Sequence, residues 1–584
     1  GLRMPTTRSE AFPVEGNDPK SNIDRYEKWG KKSAFGKPHS GSLGAADIVP
    51  AMEALRRTFA SEHTFSKEWR VGQLHALRRL LREGNQELCD AMYEDLHKSA
   101  FEAYSTEMGL VEKEIETALS HLGEWMAPHY TDTAALNTAA RSYTVHDPLG
   151  VVLIMGPWNY PVQMCFAPLV GAIAGGNCAL LKPGSYAPAT SHVISRLVQQ
   201  YLDPAAIVVA EGDREVTTAL LDQRFDKIFF TGSGFVGKII LQAAAKHFTP
   251  CLLELGGKSP AIVDRSADLG HAARRLVWGT FINGGQTCIR PDFLLVHEAV
   301  AEPFLKLLKA TIKEFYGADP QKSEWFGRCV NERAFKRLEA IVRGAPPSVV
   351  YSGGRTDAAE RYIEPTVLDY GGDWRAFSSC EAMQDELFGP ILPVCRYSDL
   401  EAVVSFVKAL PTGKPLALYC FATDSAVVED VKRRTTSGGL CINDCVMHIA
   451  NHDLPFGGVG ASGMGSRDAE IGRDTPELTR ARPRPGASGM GSYHAHRSFL
   501  AFTHEKAVLS RSPAVDEYTV LKPLLAARFP PYAPHKQFLV KLFGMWTFDK
   551  AVNVHRSPAV AVALLAYLAY YVATAYFGMR LAVT

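Results

Sequence analysis

The apolar residues of this chain follow two patterns that alternate along most of its length. From about residue 47, stretches such as "AMEALRRTFA" and "LHALRRLLREGNQELCDAMYEDLH" carry apolar residues every three to four positions, which predicts amphipathic helices. Farther along, short apolar runs punctuated by Gly or Pro predict strands, and helical stretches lie between several of them. These runs are "GVVLIMGP", "NCALLKPG", "AAIVVAEG", "KIFFTGSG", "CLLELGG" and "PAIVD". The alternation predicts an α/β fold with a parallel sheet covered on both faces.

The two ends of the chain differ from this body. Residues 1–46 are rich in Gly, Ser, Pro and charged residues and carry no apolar run, so we expect a disordered tail. Residues 558–579 contain no charged residue, and as a helix they would span about 33 Å, enough for a hydrocarbon core of about 30 Å. A buried core helix is the alternative, but the length and the terminal position favour a transmembrane tail anchor at 557–580. Basic residues lie mostly before it, which predicts a cytosolic body on the endoplasmic reticulum or another intracellular membrane.

Overall composition excludes some classes of protein. The chain of 584 residues has 63 Lys and Arg against 62 Asp and Glu, a balance that gives no basic surface for nucleic acid. Its length predicts at least two domains. The 11 cysteines lack the spacing of a zinc site or of a disulfide framework, so we predict no metal site and a reducing compartment.

One junction between a predicted strand and a predicted helix carries a glycine pattern. After "KIFF", Gly232, Gly234 and Gly237 have G-x-G-x-x-G spacing, which lets a dinucleotide phosphate approach the helix N-terminus. A turn that needs glycine for steric reasons alone is the alternative. By spacing, Glu254 is the acid that would hold a ribose. In another loop, "GGQTC", backbone N–H groups close to Cys288 would stabilise a nucleophilic thiolate, although a loop cysteine without function is the alternative.

Seven motifs occur in order between residues 157 and 458. They are "PWNYP" (157–161), "LLKP" (180–183), "FTGS" (230–233), "LELGGKSP" (253–260), "GGQTC" (284–288), "ELFGP" (386–390) and "PFGG" (455–458). Together they resemble the aldehyde dehydrogenase superfamily. "EDLHKSAFEAYSTE", "RFPPY" and the apolar tail resemble its class 3, fatty aldehyde dehydrogenase branch. The resemblance implies a Rossmann-like cofactor domain, an α/β catalytic domain and a two-stranded bridging β-arm in a homodimer.

The resemblance also implies domain limits. Residues 47–253 would form the NAD(P)-binding domain, with the bridging arm near 128–149. Residues 254–450 would form the catalytic domain, and 451–534 would return to the core and the arm. The aromatic and basic segment 535–556 has helical spacing, so we expect a helix at the membrane surface that gates the entry of lipophilic aldehydes.

Three residues match the catalytic positions of the family. Cys288 matches the nucleophile, whose thiolate attacks the aldehyde to give a thiohemiacetal and, after hydride passes to the nicotinamide, a thioester. Asn159 and the backbone N–H of Cys288 would stabilise the oxyanion. Glu254 matches the base that activates water, a role that replaces the ribose contact suggested by spacing. Burial should raise the pKa of Glu254 toward the working pH.

Six residues match cofactor positions. Lys182 matches the lysine at the adenosine ribose, Gly232, Ser233 and Gly237 match the phosphate turn, and Glu386 and Phe388 match the residues at the nicotinamide ribose and ring. Ser185 is a departure, since many NAD-preferring members carry Glu there and repel a 2′-phosphate. We therefore expect NAD as the cofactor, with unusual tolerance for NADP.

The substrate is inferred from the anchor. A tail anchor would bring the site to a bilayer, so we expect a long-chain lipophilic aldehyde, with an apocarotenal as the alternative. A different enzyme would pass the thioester to coenzyme A, but Glu254 as a water activator argues against it. A catalytically impaired membrane-bound paralogue with a structural role is the remaining class.

The heptapeptide "GASGMGS" occurs at 460–466 and again at 486–492. In the class 3 pattern one copy leads directly into "YH", so residues 467–492 are an atypical insertion. The residues between the copies are charged, contain Pro and lack apolar periodicity. We interpret the segment as a duplication or a translated intron, with a regulatory insertion as the alternative. We expect only one copy to pack in the family position, while roughly 467–485 loops out.

Overall fold

The computed structural model describes residues 42–134, 137, 140–410, 414–464, 493–512 and 547–548. The second heptapeptide and the proposed anchor at 557–580 lie outside the described residues. Within 535–556 only Thr547–Phe548 is described, and it is a strand rather than part of the expected helix, because it pairs with Thr133–Ala134. Among the residues that are described, no helix combines the length and the hydrophobicity of a membrane span.

The expected disorder of residues 1–46 is wrong for the last few of them. The Leu43 backbone N–H donates to the Val209 carbonyl at 3.0 Å, and the Leu43 carbonyl accepts from the Glu211 N–H at 3.2 Å. These bonds extend the edge of a sheet. Backbone hydrogen bonds therefore order a segment that lacks an apolar run.

The described helices are amphipathic or buried, as their patterns predict. Lys67–Glu83 is an example, since Ser66 Oγ caps it by accepting from the Trp69 N–H at 3.1 Å, its leucines face the core, and it ends at Gly84. The α-helices are Ile48–Ala60, Lys67–Glu83, Asn85–Leu96, Ala100–Ala103, Gly109–Trp125, Gln163–Ala174, Pro188–Tyr201, Arg214–Leu221, Gly234–Ala245, Leu269–Phe281, Glu298–Tyr316, Glu332–Gly344, Trp374–Ser379, Glu381–Gln384, Leu400–Ala409, Ser425–Arg434 and His496–Ala501.

A six-stranded sheet contains five of the six apolar runs. Its order is Gly463–Met464, Cys251–Leu255, Lys227–Gly232, Val151–Met155, Cys178–Lys182 and Ile207–Val209. All neighbours are parallel except Gly463–Met464, which runs antiparallel to Cys251–Leu255. The strand order reverses beside Val151–Met155. In doubly wound sheets, ligands bind outside the carboxyl ends of the strands at such a reversal.

A seven-stranded sheet carries the sixth run. Its order is Val350–Ser352, Thr366–Asp369, Ile391–Tyr397, Phe293–His297, Pro260–Val263, Ala417–Phe421 and Gly439–Ile442. Only the first pair is antiparallel. A small hairpin pairs Thr356–Asp357 with Tyr362–Ile363. Both large sheets belong to one compact unit, formed by residues up to Ser120 and from Leu149 to Phe502.

A second compact unit contains the predicted arm. Ala140–Pro148 is a strand, as the alternation of Tyr143 and Val145 predicted, and it pairs antiparallel with Thr503–Arg511. The arm has three strands rather than the expected two, because His129–Thr131 pairs with the other edge of Ala140–Pro148. The third strand satisfies backbone groups that a two-stranded ribbon would leave open on that edge.

The first copy of the heptapeptide packs against the six-stranded sheet. Gly463 pairs with Glu254, and the Ser462 carbonyl accepts from the Leu255 N–H at 3.2 Å. A Cβ atom on Gly463 would lie 2.9 Å from the Gly458 Cα, so glycine is needed for this close approach. The expectation that only one copy packs stays a prediction, since the other copy is not described.

Candidate active site

A cavity of about 520 Å³ lies at the carboxyl ends of strands from the two large sheets. Seven of the nine residues singled out from the sequence line it: Asn159, Gly232, Ser233, Glu254, Cys288, Glu386 and Phe388. Lys182 and Gly237 do not line it. The fold therefore brings together residues that are separated by more than 200 positions in the sequence.

Cys288 lies on a loop that follows the 3₁₀ turn Ile282–Gly285. The pKa of the Cys288 thiol is raised to about 12, first by burial and then by the carboxylates of Glu386 and Glu254, while the backbone N–H groups of Cys288 and Ile289 act in the opposite direction. The backbone donors expected from the sequence are present. They are outweighed by burial and by the two acids, so the resting sulfur is a thiol.

The Cys288 loop is held against the Glu386 loop. Gly285 has a φ of 76°, and a Cβ atom there would lie 2.4 Å from the Gly389 carbonyl oxygen. Only glycine permits both the left-handed backbone and this approach. The "GG" of "GGQTC" thus sets the distance between the two loops that line the cavity.

Glu254 lies next to the end of the fully buried strand Cys251–Leu255 and is 3% exposed. Neither of its carboxylate oxygens has a hydrogen-bond partner. Burial raises the pKa of Glu254 well above its usual value, in the direction expected from the sequence. A buried acid without partners costs stability, and such groups concentrate where a protein does chemistry.

Asn159 is fixed from both its side chain and its backbone. Its Nδ2 donates to the Gln286 carbonyl at 2.9 Å, which joins it to the Cys288 loop. Its own carbonyl accepts from Asn283 Nδ2 at 2.8 Å and from Lys98 Nζ at 3.1 Å. One contact therefore orients the side-chain amide, and two hold the backbone of the residue, before any substrate arrives.

A buried ion pair between Lys98 and Glu107 supports the Asn159 segment. Both side chains are fully buried. Glu107 Oε2 accepts from the Val162 N–H at 2.8 Å and from the Gln163 N–H at 3.2 Å, at the start of the helix Gln163–Ala174. The negative carboxylate is favourable at this helix N-terminus. The backbone around Asn159 is thus held by the capped helix that follows it and by Lys98.

Tyr160 and Glu102 complete this support. The Tyr160 hydroxyl lies 2.6 Å from Thr287 Oγ1, and the Asn283 N–H donates to Glu102 Oε1 at 2.7 Å. Burial raises the pKa of Glu102 to about 7. These contacts tie one part of the segment around Cys288 to Glu102 and another part to Tyr160.

Glu386 and Phe388 occupy the opposite wall. A Cβ atom on Gly256 would lie 2.0 Å from Glu386 Oε2, so the carboxylate packs directly on that backbone. Glu386 Oε1 has no hydrogen-bond partner, and burial raises the pKa of Glu386 to about 8. Phe388 has a left-handed φ of 49°, and its ring lies 5.5 Å from that of Trp158. A strained residue beside an unsatisfied acid marks a ligand-binding wall.

The glycine turn has the arrangement of a dinucleotide site. Ser233 caps the helix Gly234–Ala245, with its Oγ accepting from the Val236 N–H at 3.4 Å. A Cβ atom on Gly234 would meet nothing within 4 Å, so space for a ligand lies over the helix N-terminus. Gly237 packs on the sheet instead, where a Cβ atom would lie 3.1 Å from Leu255 Cδ2.

Lys182 ends the strand next to the reversal point. It is buried, and burial lowers its pKa to about 8. Its Nζ donates to the Pro183 carbonyl at 3.1 Å. Ser185 follows in a half-buried turn. The residues present fit an NAD(P) cofactor on three counts: the open glycine turn, the unpartnered Glu386 oxygen and a lysine beside the switch point.

Sequence reasoning did not assign roles to the supporting residues. Lys98, Glu102 and Glu107 lie in "EDLHKSAFEAYSTE", a motif that contributed to the resemblance without any function given to its members. The only local signal is charge inside an otherwise buried helical face, with a π-helical turn at Tyr104–Met108. A π-turn inside a helical run often accompanies a functional site.

The sequence profile described as the "Aldehyde dehydrogenase family" matches residues 18–476. The chain belongs to this family. It is an NAD(P)-dependent aldehyde dehydrogenase, with the α/β fold of that family. The match ends between the two copies of the heptapeptide.

Individual relatives extend over most of this aldehyde dehydrogenase. It is 40% identical over 485 residues to 4,4'-diaponeurosporen-aldehyde dehydrogenase of Staphylococcus aureus, covering 83% of this chain and 96% of the relative. It is 39% identical over 485 residues to human aldehyde dehydrogenase family 3 member B1, covering 83% and 95%. The solved structure "Substrate bound state of Staphylococcus Aureus AldH" matches with a TM-score of 0.76 and 38% identity, covering 85% of this chain and 99% of that one.

Proposed function

We propose that this aldehyde dehydrogenase oxidises long-chain lipophilic aldehydes to carboxylic acids through a covalent intermediate on Cys288. The observation that carries the proposal is the meeting of Cys288, Glu254 and the side chain of Asn159 in one cavity. Bound NAD(P) supplies the hydride acceptor. Sγ of Cys288 adds to the aldehyde carbonyl to form a thiohemiacetal, and loss of hydride leaves a thioester.

The resting thiol must lose its proton before attack. With a pKa near 12, Cys288 is protonated at neutral pH. Glu254 is suited to accept this proton, because burial raises its pKa and neither carboxylate oxygen has a hydrogen-bond partner. In our proposal the ionised form of Glu254 takes that proton and releases it to solvent once the thioester has formed. The regenerated carboxylate then takes a proton from the water that hydrolyses the thioester.

Negative charge on the carbonyl oxygen needs fixed donors. Asn159 uses one N–H of its amide on the Gln286 carbonyl. In our proposal the second N–H donates to the substrate oxygen in the cavity that Asn159 lines. The backbone N–H of Cys288 supplies the other donor. Removing one such donor typically costs 10²–10³-fold in turnover.

The test is a pre-steady-state burst of NADH. Purified full chain mixed with a long-chain aldehyde and NAD should give a burst close to the enzyme concentration. Cys288→Ala should abolish it, and Cys441→Ala is the matched control, since that half-buried thiol lies outside the cavity and should keep the burst. A burst that survives Cys288→Ala, or a product that requires coenzyme A, would reject the proposal.

For the cofactor we propose NAD with tolerance for NADP. Lys182, Gly232, Ser233 and Gly237 would hold the adenosine half and the phosphates, and Glu386 and Phe388 would hold the nicotinamide half. Support comes from Ser185, which adds no carboxylate near Lys182 to repel a 2′-phosphate. Ser185→Glu should depress NADP turnover selectively, whereas an equal loss with NAD would contradict this reading.

Support for a lipophilic substrate comes from the cavity lining and the sequence tail. Trp158, Met164 and Phe456 line the cavity, and residues 558–579 have the composition of a tail anchor. An apocarotenal is the second candidate, favoured by the substrate in the name of the Staphylococcus aureus relative. Turnover of an aldehyde chain-length series with a carotenal included, with and without residues 557–584, tests both. If the chain prefers short aldehydes both with and without residues 557–584, the proposed substrate class and the role of the anchor in substrate choice are wrong.

We also propose a homodimer on an intracellular membrane. This follows from the class 3 resemblance and from the basic residues before the apolar tail. Light scattering of the purified chain without residues 557–584 should give twice the monomer mass, and fractionation of cells should place the full chain with membranes.

A further inference from the structure

Three buried side chains that the proposed reaction does not use, and that do not line the cavity, meet in the folded core. They are Glu114 on the helix Gly109–Trp125, His452 after the turn Met447–Ala450, and His494 before the helix His496–Ala501. Their exposed fractions are 1%, 6% and 1%, respectively. One ligand atom from each lies within 4.8 Å of the others.

The distances suit a small divalent ion. Glu114 Oε1 is 2.7 Å from His494 Nδ1 and 3.6 Å from His452 Nε2. Bonds of about 2.0–2.2 Å to a tetrahedral zinc ion put ligand atoms roughly 3.3 Å apart. The two distances from Glu114 Oε1, 2.7 Å and 3.6 Å, lie on either side of that value.

The His452 ring is prepared as a ligand. Its Nε2 has no hydrogen-bond partner, while the ring makes a hydrogen bond with the backbone of Leu110. That bond must fall on Nδ1, which leaves the lone pair of Nε2 directed at Glu114 in the neutral ring. A backbone contact on the far nitrogen is the usual support of a metal-binding histidine.

Glu114 and His494 are also held in place. Glu114 Oε2 accepts from the Ala495 N–H at 2.9 Å, and the His494 N–H donates to Ser498 Oγ at 2.9 Å. His494 and Ala495 have left-handed φ values of 102° and 50°. Non-glycine residues keep such a backbone only when surrounding contacts enforce it.

We propose that Glu114, His452 and His494 form a structural site for a divalent transition metal of the zinc type. Two imidazoles and one carboxylate are a ligand set that zinc takes, with a fourth position left for water. Binding would replace the contact between His494 Nδ1 and Glu114 Oε1 with two bonds to the ion. His452 and His494 flank the extra segment 467–492, and the ion would tie both flanks to one helix.

Metal analysis of the full chain tests this site. After incubation with Zn²⁺ and desalting, elemental analysis should give close to one zinc per chain, and a chelator should lower Tm. His452→Asn should weaken zinc binding at least tenfold. Substitution with Co²⁺ should give the visible absorption of a tetrahedral ion in the wild type and not in His452→Asn.

A second histidine–glutamate pair provides the control. His192 Nδ1 lies 2.6 Å from Glu211 Oε2, and no third ligand joins this pair among the described residues. His192→Gln should keep full zinc content. Zinc below one tenth per chain with no rise in Tm, or equal binding by His452→Asn, would overturn the proposal. Glu114→Gln removes a second ligand and should also weaken zinc binding. If Glu114→Gln does not fold, the proposal is judged from His452→Asn alone.

Discussion

The ion pair behind Asn159 and the cavity acid Glu254 are both buried, yet their surroundings are opposite. Glu107 has a lysine and two backbone N–H groups as partners. Glu254 has no hydrogen-bond partner for either oxygen, and one oxygen of Glu386 has none. The first arrangement stabilises the fold around Asn159, the proposed oxyanion donor. The second costs stability and leaves carboxylates free to take protons or bind a ligand.

The largest expected effect is on the ion pair. Lys98→Met leaves the Glu107 charge buried without its cation, so we expect a loss of about 3–5 kcal/mol in the free energy of unfolding. Urea denaturation measures it. Lys113→Met, which removes an exposed ion pair with Glu116, is the control and should change stability little. Equal stability of the two variants would show that the buried pair does not support the fold.

Glu254→Gln, unlike Lys98→Met, should lower activity without lowering stability. We expect turnover to fall by about 10²–10⁴-fold, as for loss of a general base. The raised pKa means that the folded chain binds this proton more tightly than the unfolded chain, so ionisation of Glu254 costs stability as pH rises above its unfolded value. The variant should therefore be at least as stable at pH 8. In the wild type, activity should rise with pH as Glu254 ionises, and this rise should be absent from the variant.

The two heptapeptide copies allow a matched test of which one packs beside Glu254. Gly463→Val places side-chain atoms against the backbone of Gly458 and Leu253, so we expect a loss of about 1–3 kcal/mol and lower activity. Gly489→Val makes the same change in the second copy and should have no effect. The reverse outcome would assign the family position to the second copy. Deletion of residues 467–492 should leave activity and stability at least unchanged.

The smallest expected effect concerns the thiol. Glu386 raises the pKa of Cys288, so Glu386→Gln should lower it and speed alkylation by iodoacetamide, by at most about tenfold for one pKa unit. Because Glu386 has a pKa of about 8, the gain should appear at pH 9 and vanish near pH 6.5. Asp385→Asn, a change in the neighbouring acid, is the control. Equal alkylation rates of the wild type and Glu386→Gln at pH 9 would show that Glu386 does not raise the pKa of Cys288.

Much of the site follows from local sequence. The glycine pattern after "KIFF", the Gly pair before Cys288 and Asn159 in "PWNYP" are short motifs whose chemistry depends on neighbouring residues. The regular alternation of apolar runs and helices was sufficient to predict the parallel sheet. The end of the tail was mispredicted at Leu43 because a single pair of backbone hydrogen bonds leaves no apolar pattern.

What the sequence by itself determined was the order of strands and helices along the chain and the family to which the chain belongs, because periodicity and motifs are local. It also proposed which groups react. Only the tertiary structure decided the protonation of those groups, since the pKa of Cys288 depends on burial and on acids far away in the chain. It also decided how Lys98 reaches Asn159. The cluster of Glu114, His452 and His494 has no sequence spacing to reveal it, because its ligands come from three distant segments that meet only in the folded core.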